Sequence, residues 1–172
     1  MNHSIVEQFY FFMILKKYKD KMSYHENYNM ITDKVAIGNH LSSYEPFDVV
    51  INLCFPENRM EHRQILISHL HNKTIITVGI HDSPDEDMLA LLMKIMPHLV
   101  QLYYANPNMR ILFHCYAGIS RSSSVAIAYL MAVYKFPLHR SLEMAISKRP
   151  IVKPNPGFIK ALQAFEQKVF YN

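Results

Sequence analysis

Short apolar, β-branched runs alternate along the chain with longer stretches in which apolar residues recur every three or four positions. The short runs are Lys34–Ile37, Val49–Leu53, Thr74–Ile80 and Ile111–Cys115, and each reads as a buried strand. Between 57 and 73 the pattern fits a helix or a hairpin equally. Asp82-Ser83-Pro84-Asp85-Glu86 predicts a helix start, with Ser83 as cap, Pro84 at the first helical position and Glu86 completing a capping box. Met88, Leu91, Leu92, Ile95, Leu99 and Leu102 then share one helical face, and Pro97 inside it predicts a kink. Ser122–Tyr134 carries no charge and reads as a central, buried helix. Pro137 starts another helix, and Asn155-Pro156 starts the last, with Phe158, Leu162, Phe165 and Val169 on one face. Strands alternating with helices, then a helical C-terminal half, predict an α/β domain with a central, mostly parallel sheet flanked by helices.

Ahead of this domain, residues 4–21 read as a helical arm: Ser4 caps, Glu7 follows three residues on, and Ile5, Phe9, Phe12 and Met13 form an apolar stripe. The stripe either packs on its own domain or docks on a second copy, making a homodimer. Residues 22–30 are polar and read as a linker. The expected division is an arm and linker over 1–30 and a catalytic domain over 31–172.

Composition narrows the class. The chain has 172 residues, 50% apolar and 19% charged, enough for one packed core and too few charges for wholesale disorder. A net charge of +4 suits an anionic partner without demanding nucleic acid, and none is expected. The basic run Lys16–Lys21 reads as a solvated helix end. Phe9–Leu15 is too short to span a bilayer and lacks the flanks of a signal peptide. Two cysteines, Cys54 and Cys115, are too few for a disulfide framework and suit a reducing, cytoplasmic setting. The ten histidines are scattered, without zinc spacing, so neither metal nor cofactor is expected.

The chemistry concentrates in His114-Cys115-Tyr116-Ala117-Gly118-Ile119-Ser120-Arg121-Ser122. A strand delivers Cys115 to the carboxyl edge of the sheet, and a helix follows. Between them the chain can curl so that its N–H groups converge on an anion. Gly118 permits the backbone angles, and Arg121 can fork onto phosphate oxygens. Helix N-termini and neighbouring cations favour the thiolate over the thiol. These residues predict a cysteine nucleophile for phosphoryl transfer, with the amides of Tyr116 to Ser120 and the Arg121 guanidinium binding the phosphate. Asp82, after a strand ending on the same edge, is the candidate general acid, then base toward water. Ser122 would assist the departing thiolate, and His114 would orient the loop. Asp85 and Asp87 are the substitute acids, better suited to complementing the helix dipole.

The run His-Cys-x5-Arg-Ser with Ala-Gly-Ile-Ser-Arg-Ser inside it resembles the dual-specificity protein phosphatases, in their small atypical form. Ala128-Tyr129-Leu130-Met131 is similar to that family's helix after the loop. Arg149-Pro150-Ile151-Val152-Lys153-Pro154-Asn155-Pro156-Gly157-Phe158 is similar to its run before the last helix. Ile37-Gly38, Val50-Ile51-Asn52-Leu53 and His81-Asp82-Ser83-Pro84 resemble its first strands and its general-acid loop. The resemblance covers about residues 31–170 and is most specific over 111–135. It implies metal-free hydrolysis of phosphotyrosine and phosphoserine/threonine in proteins through a cysteinyl phosphate. It gives Asp82 the acid role and makes Asn155 a support of the loop. Cys54, in Asn52-Leu53-Cys54, resembles a cysteine that pairs with the nucleophile under oxidation. The short helical arm on a minimal domain is similar to poxvirus-encoded members.

Other uses of a Cys-x5-Arg loop fit less well. RNA 5′-phosphatases or triphosphatases usually carry a second His and Asn-Arg-Thr, where Tyr116-Ala117 and Ser120-Arg121-Ser122 stand here. Inositol-lipid phosphatases favour lysines inside the loop, and there are none. A phosphate-binding pseudophosphatase is disfavoured because nucleophile, arginine and acid are all present.

Overall fold

The computed structural model describes residue 13 and residues 26–54 and 64–171. Among the described residues, six strands form one sheet: β1 (Tyr28–Met30), β2 (Val35–Gly38), β3 (Val49–Asn52), β4 (Ile65–Leu70), β5 (Lys73–Val78) and β6 (Ile111–His114). Their order across the sheet is β1-β2-β6-β3-β5-β4. The inner strands β2, β6, β3 and β5 are parallel, while β1 and β4 close the edges in antiparallel pairing. Parallel pairing needs crossovers, so the inner strands are covered and read as continuous apolar runs. The register aligns Gly38 and Asn52 with His114, and Asn52 with Thr77. Four chain segments therefore leave the sheet side by side at its carboxyl edge, and the site is built from them.

The helices that are described along their whole length are α1 (Met88–Ala105), α2 (Arg121–Tyr134), α3 (Leu138–Lys148) and α4 (Pro156–Phe170). The uncharged α2 lies at the centre, buried from Ser122 through Ala132 and packed against the other three and the sheet. Val35, Ile37, Ile51 and Phe113 belong to this helix-covered core. The alternate strand residues Ala36, Val50 and Leu112 turn to the opposite face and pack with Phe47. The described helices thus gather on one face of the sheet. α1 is long and apolar enough to cross a membrane, but Met88, Leu91, Leu92, Ile95, Met96 and Leu99 are buried in the core.

Several local expectations change. The helix expected from Ser83 begins at Met88, with Asp87 as cap, its carboxylate accepting from the Ala90 N–H at 3.0 Å. Residues 83–86 instead close a turn, Glu86 N–H donating to the Ser83 carbonyl at 3.1 Å. Glu86 turns back to accept from the His81 N–H at 3.3 Å. Asp87 is therefore committed to capping. The ambiguity over 57–73 resolves within the described residues as a hairpin, β4–β5. Its turn residues His71 and Asn72 have φ of 48° and 64°, the paired positive values that match strand twist in two-residue loops. The linker expected over 22–30 becomes strand β1 from Tyr28, paired to β2. Three edge residues with intermediate burial gave no period to read. The apolar stripe of the arm lies outside the described residues except for Met13, which is helical and exposed.

Candidate active site

The loop from Cys115 to Ser120 joins β6 to α2, and the destination of each carbonyl decides its shape. The Tyr116 carbonyl accepts from the His40 backbone N–H at 3.2 Å and from its Nδ1 at 2.8 Å. The Ala117 and Gly118 carbonyls accept from Arg149, at 3.4 Å from Nη2 and 2.9 Å from Nε. The Ile119 carbonyl accepts from the Lys153 N–H at 2.9 Å and the Ser123 hydroxyl at 2.6 Å. The Ser120 carbonyl accepts from the Ser124 N–H and hydroxyl. Every peptide here is trans, so each N–H points opposite to the carbonyl of the residue before it. Pulling five carbonyls outward turns the N–H groups of residues 117–121 to the other side of the chain. This is an anion cradle, continued by the N-terminus of α2.

Gly118 is needed on two counts. Its φ is +70°, and a Cβ there would lie 2.6 Å from both Arg149 Nη2 and the Gly38 carbonyl. Its N–H donates to Cys115 Sγ at 3.3 Å. Cys115 is 2% exposed, and its sulfur lies 3.3 Å from the Ser122 hydroxyl. The sulfur thus lies buried in the loop, within reach of the Gly118 N–H and the Ser122 hydroxyl.

Arg121 opens α2. Its Nη1 donates to the carbonyls of Leu53 at 3.0 Å and Ile80 at 3.3 Å, the chain leaving β3 and β5. This anchors one side of the guanidinium. Its Nε is buried with no hydrogen-bond partner among the described residues. A buried donor left unpaired costs about 1–3 kcal/mol. An oxyanion bound in the loop would supply the acceptor.

Asp82 is exposed after β5, and its Oδ1 accepts from the Ser120 hydroxyl at 2.7 Å and Asn155 Nδ2 at 2.9 Å. Asn155 also accepts from the Phe158 N–H at 2.9 Å, capping α4, and its own N–H donates to the Ser120 hydroxyl at 3.1 Å. One residue therefore joins loop, acid and helix, the loop through its backbone and the other two through its side chain. Gly157 lets the acid-bearing segment pack close, since a Cβ there would collide with the Pro84 carbonyl. Tyr116, Ala117 and Ile119 are exposed around the cradle, while Gly118 and Ser120 are buried in its wall.

His114 is buried at the end of β6. Its Nε2 lies 2.6 Å from the Tyr44 hydroxyl and its Nδ1 3.8 Å from Cys54 Sγ. Burial, with His40 nearby, pushes its pKa down to about 4, so the ring is neutral near pH 7. Burial, then the charge of Cys115, pushes the Cys54 thiol up to about 11, while Arg121 opposes. Burial also raises the pKa of the Tyr44 hydroxyl.

Arg149, His40 and Tyr44 escaped the sequence reading. Arg149 is 1% exposed, holds two loop carbonyls, and also donates through Nη1 to the Glu26 carbonyl and Asn29 Oδ1, at 3.0 and 2.6 Å. Burial pulls its pKa down, while Cys115 and Glu26 oppose. Its only sequence signal was a place in the Arg-Pro run before the last helix. His40 stacks on Tyr116 with ring centroids 4.5 Å apart, a contact no spacing rule announces.

The sequence pattern described as the dual specificity phosphatase catalytic domain matches residues 30–168. The chain belongs to the dual specificity phosphatase family. It is 33% identical over 139 residues to 123R of Invertebrate iridescent virus 6, named as a tyrosine phosphatase, covering 81% of this chain and 88% of the viral one. It is 50% identical over 64 residues to a dual specificity protein phosphatase of Dictyostelium discoideum, spanning 37% of this chain and only 28% of that relative. The fold matches human DUSP28 with a TM-score of 0.66 at 23% identity, over 84% of this chain and 96% of that one. It matches a mouse dual specificity phosphatase, solved with zinc tungstate, with a TM-score of 0.67 at 25% identity, over 86% and 93%. The family is one of cysteine-based protein phosphatases, and it implies phosphoprotein substrates for this phosphatase.

Proposed function

We propose that the chain hydrolyses phosphotyrosine and phosphoserine/threonine in proteins, with Cys115 as nucleophile. The observation that carries this reading is the outward tethering of the loop carbonyls from Tyr116 to Ser120 around a sulfur 3.3 Å from the Gly118 N–H. The inward amides and Arg121 bind three phosphate oxygens and stabilise the charge that develops on them. Cys115 Sγ attacks phosphorus, the bond to the ester oxygen breaks, and Asp82 delivers its proton to that oxygen. Asp82, now ionised, takes a proton from water, which attacks the cysteinyl phosphate. The thiolate leaves while Ser122, 3.3 Å away, hydrogen-bonds it, and phosphate departs. The neutral His114 ring ties the end of β6 to Tyr44, outside the proton transfers. Asn155 steadies both loop and acid through Ser120 and Asp82.

Assaying phosphotyrosyl peptide, phosphothreonyl peptide, triphosphate-ended RNA and an inositol lipid side by side tests the substrate class. Turnover of both peptides, without effect of chelator, is expected; turnover of only RNA or lipid contradicts the reading. A homodimer through the N-terminal helix and a cytoplasmic location belong to the same reading, resting on the apolar stripe and the two free thiols. Sedimentation across a dilution series checks the dimer.

The neighbourhood of Cys54 favours a redox role beside catalysis. Peroxide oxidises the Cys115 thiolate to a sulfenic acid; the Cys54 thiol then attacks its sulfur, forming a disulfide and releasing water. Cys54 and Cys115 flank the same His114 ring, in space and in sequence respectively. Peroxide-treated protein carrying only sulfinic or sulfonic acid at Cys115, by mass spectrometry, would refute this.

A further inference from the structure

Beside the reaction site lies a cleft of about 540 Å³ whose lining includes neither Cys115 nor Arg121. Asp82, Ser120 and Asn155 form its wall on the loop side, which sets the cleft next to the candidate acid. Its far side comes from two segments with a regular reason to face it. Over 152–154 the chain is buried, exposed, buried, so Lys153 points outward while Val152 and Pro154 point in. The Lys153 N–H is fastened to the Ile119 carbonyl at 2.9 Å, which fixes its distance from the loop. On α4, Pro156, Ile159, Lys160 and Gln163 stand at helical spacings and share one face toward the cleft, while Phe158, Leu162 and Phe165 pack inward.

Charge and shape then select the occupant. Ile119 and Ile159 supply apolar walls. Two exposed lysines, Lys153 and Lys160, supply the cations, against one carboxylate, Asp82, already held by Ser120 and Asn155. Arg149 is buried, makes four hydrogen bonds to the Gly118, Ala117 and Glu26 carbonyls and Asn29, and does not line the cleft. A volume of this size takes one or two residues of an extended peptide. We propose that this cleft is a specificity subsite for a substrate residue flanking the phosphoresidue, recognising an anionic tip, carboxylate or second phosphate, on an apolar stem. This deepens the phosphoprotein phosphatase reading and rests on it.

The test uses the full chain and phosphotyrosyl peptides that differ at one flanking position: Glu against Gln, and phosphoserine against Ser. The flanking residue is placed in turn on either side of the phosphotyrosine. Exposed ion pairs are individually weak, so two lysines give about a three- to tenfold preference in kcat/KM for the anionic peptide, carried by KM and shrinking with added salt. The glutamate and phosphoserine arms separate the two anion sources. Lys153→Ala with Lys160→Ala is expected to level the preference, and Lys153→Glu with Lys160→Glu to invert it. Binding of the same peptides to the Cys115→Ser protein, read by fluorescence anisotropy, supplies the same ratio without turnover. Equal kcat/KM for anionic and neutral peptides, or a preference that survives both lysine variants, overturns the subsite while the phosphatase reading stands. No turnover of any phosphopeptide by the unmodified protein overturns both.

Discussion

The phosphate loop has two flanks built on different principles. On one, Arg149, 1% exposed, holds the Ala117 and Gly118 carbonyls, and Arg149 and Gly38 leave no room for a Cβ at Gly118. On the other, Ser120 is tied to exposed Asp82 and to Asn155 by side-chain hydrogen bonds near solvent. The buried flank sets the direction of the amides and so the shape of the cradle. The open flank carries the group that must gain and lose a proton. Desolvation makes the first flank costly to disturb and solvent makes the second adaptable, so substitutions on the two flanks separate stability from rate.

The largest effect is expected at the meeting point. Cys115→Ser abolishes turnover while phosphate-ester binding persists, measured by steady-state kinetics and equilibrium binding; retained turnover would break the covalent scheme for both flanks. On the open flank, Asp82→Ala lowers kcat by roughly 10²–10⁴-fold on esters with poor leaving groups, about 3–5 kcal/mol of barrier. Its urea midpoint stays near that of the unmodified protein. If Asp85→Ala or Asp87→Ala shows that loss instead, the acid lies elsewhere in the turn. On the buried flank, Arg149→Met leaves the carbonyls of Ala117 and Gly118 unpaired and costs about 3 kcal/mol in urea unfolding, with activity falling in parallel. Full stability with lost activity would erase the distinction between the flanks.

A smaller effect reports burial at the root of the loop. His114 has a folded pKa of about 4 against an ordinary 6.5. Between these values the unfolded chain binds the extra proton and the folded protein does not, so stability rises with pH across this window. His114 alone therefore removes about 2 kcal/mol on going from pH 7 to pH 5, and His114→Gln flattens that part of the profile. An equal pH dependence in both proteins contradicts the buried, neutral ring. The smallest change is Asn155→Asp, which keeps the helix cap but loses the Nδ2 donor to Asp82. Unfolding moves by less than about 1 kcal/mol, and kcat falls severalfold. A stability loss as large as that of Arg149→Met would show that Asn155 belongs to the buried flank.

Much of this was legible in the chain because it was local. The strand, loop and helix around Cys115 follow one another in sequence, and Asn155-Pro156 states both a cap and a first-turn proline. What escaped was written in tertiary contacts. Arg149 lies 31 residues from the Gly118 carbonyl it holds, and as a sequence it is one more arginine at a helix end. β1 has no periodicity because it is a three-residue edge strand, defined by its partner β2. The Ser83–Glu86 signature carried the right residue types for a capping box, yet Asp87 offered a competing cap one turn later and won. The β4–β5 hairpin depended on positive φ at His71 and Asn72, for which histidine gives a weak signal.

Covalent catalysis by Cys115 requires a phosphorus–sulfur bond to form in the cradle. Rapid denaturing quench of the enzyme during turnover of a phosphotyrosyl peptide, followed by mass spectrometry, reads it directly. One phosphate is expected on the peptide that contains Cys115, and none on the same peptide of the Cys115→Ser protein. Phosphate on another side chain, or undiminished turnover with no phosphoenzyme at any time point, would contradict it.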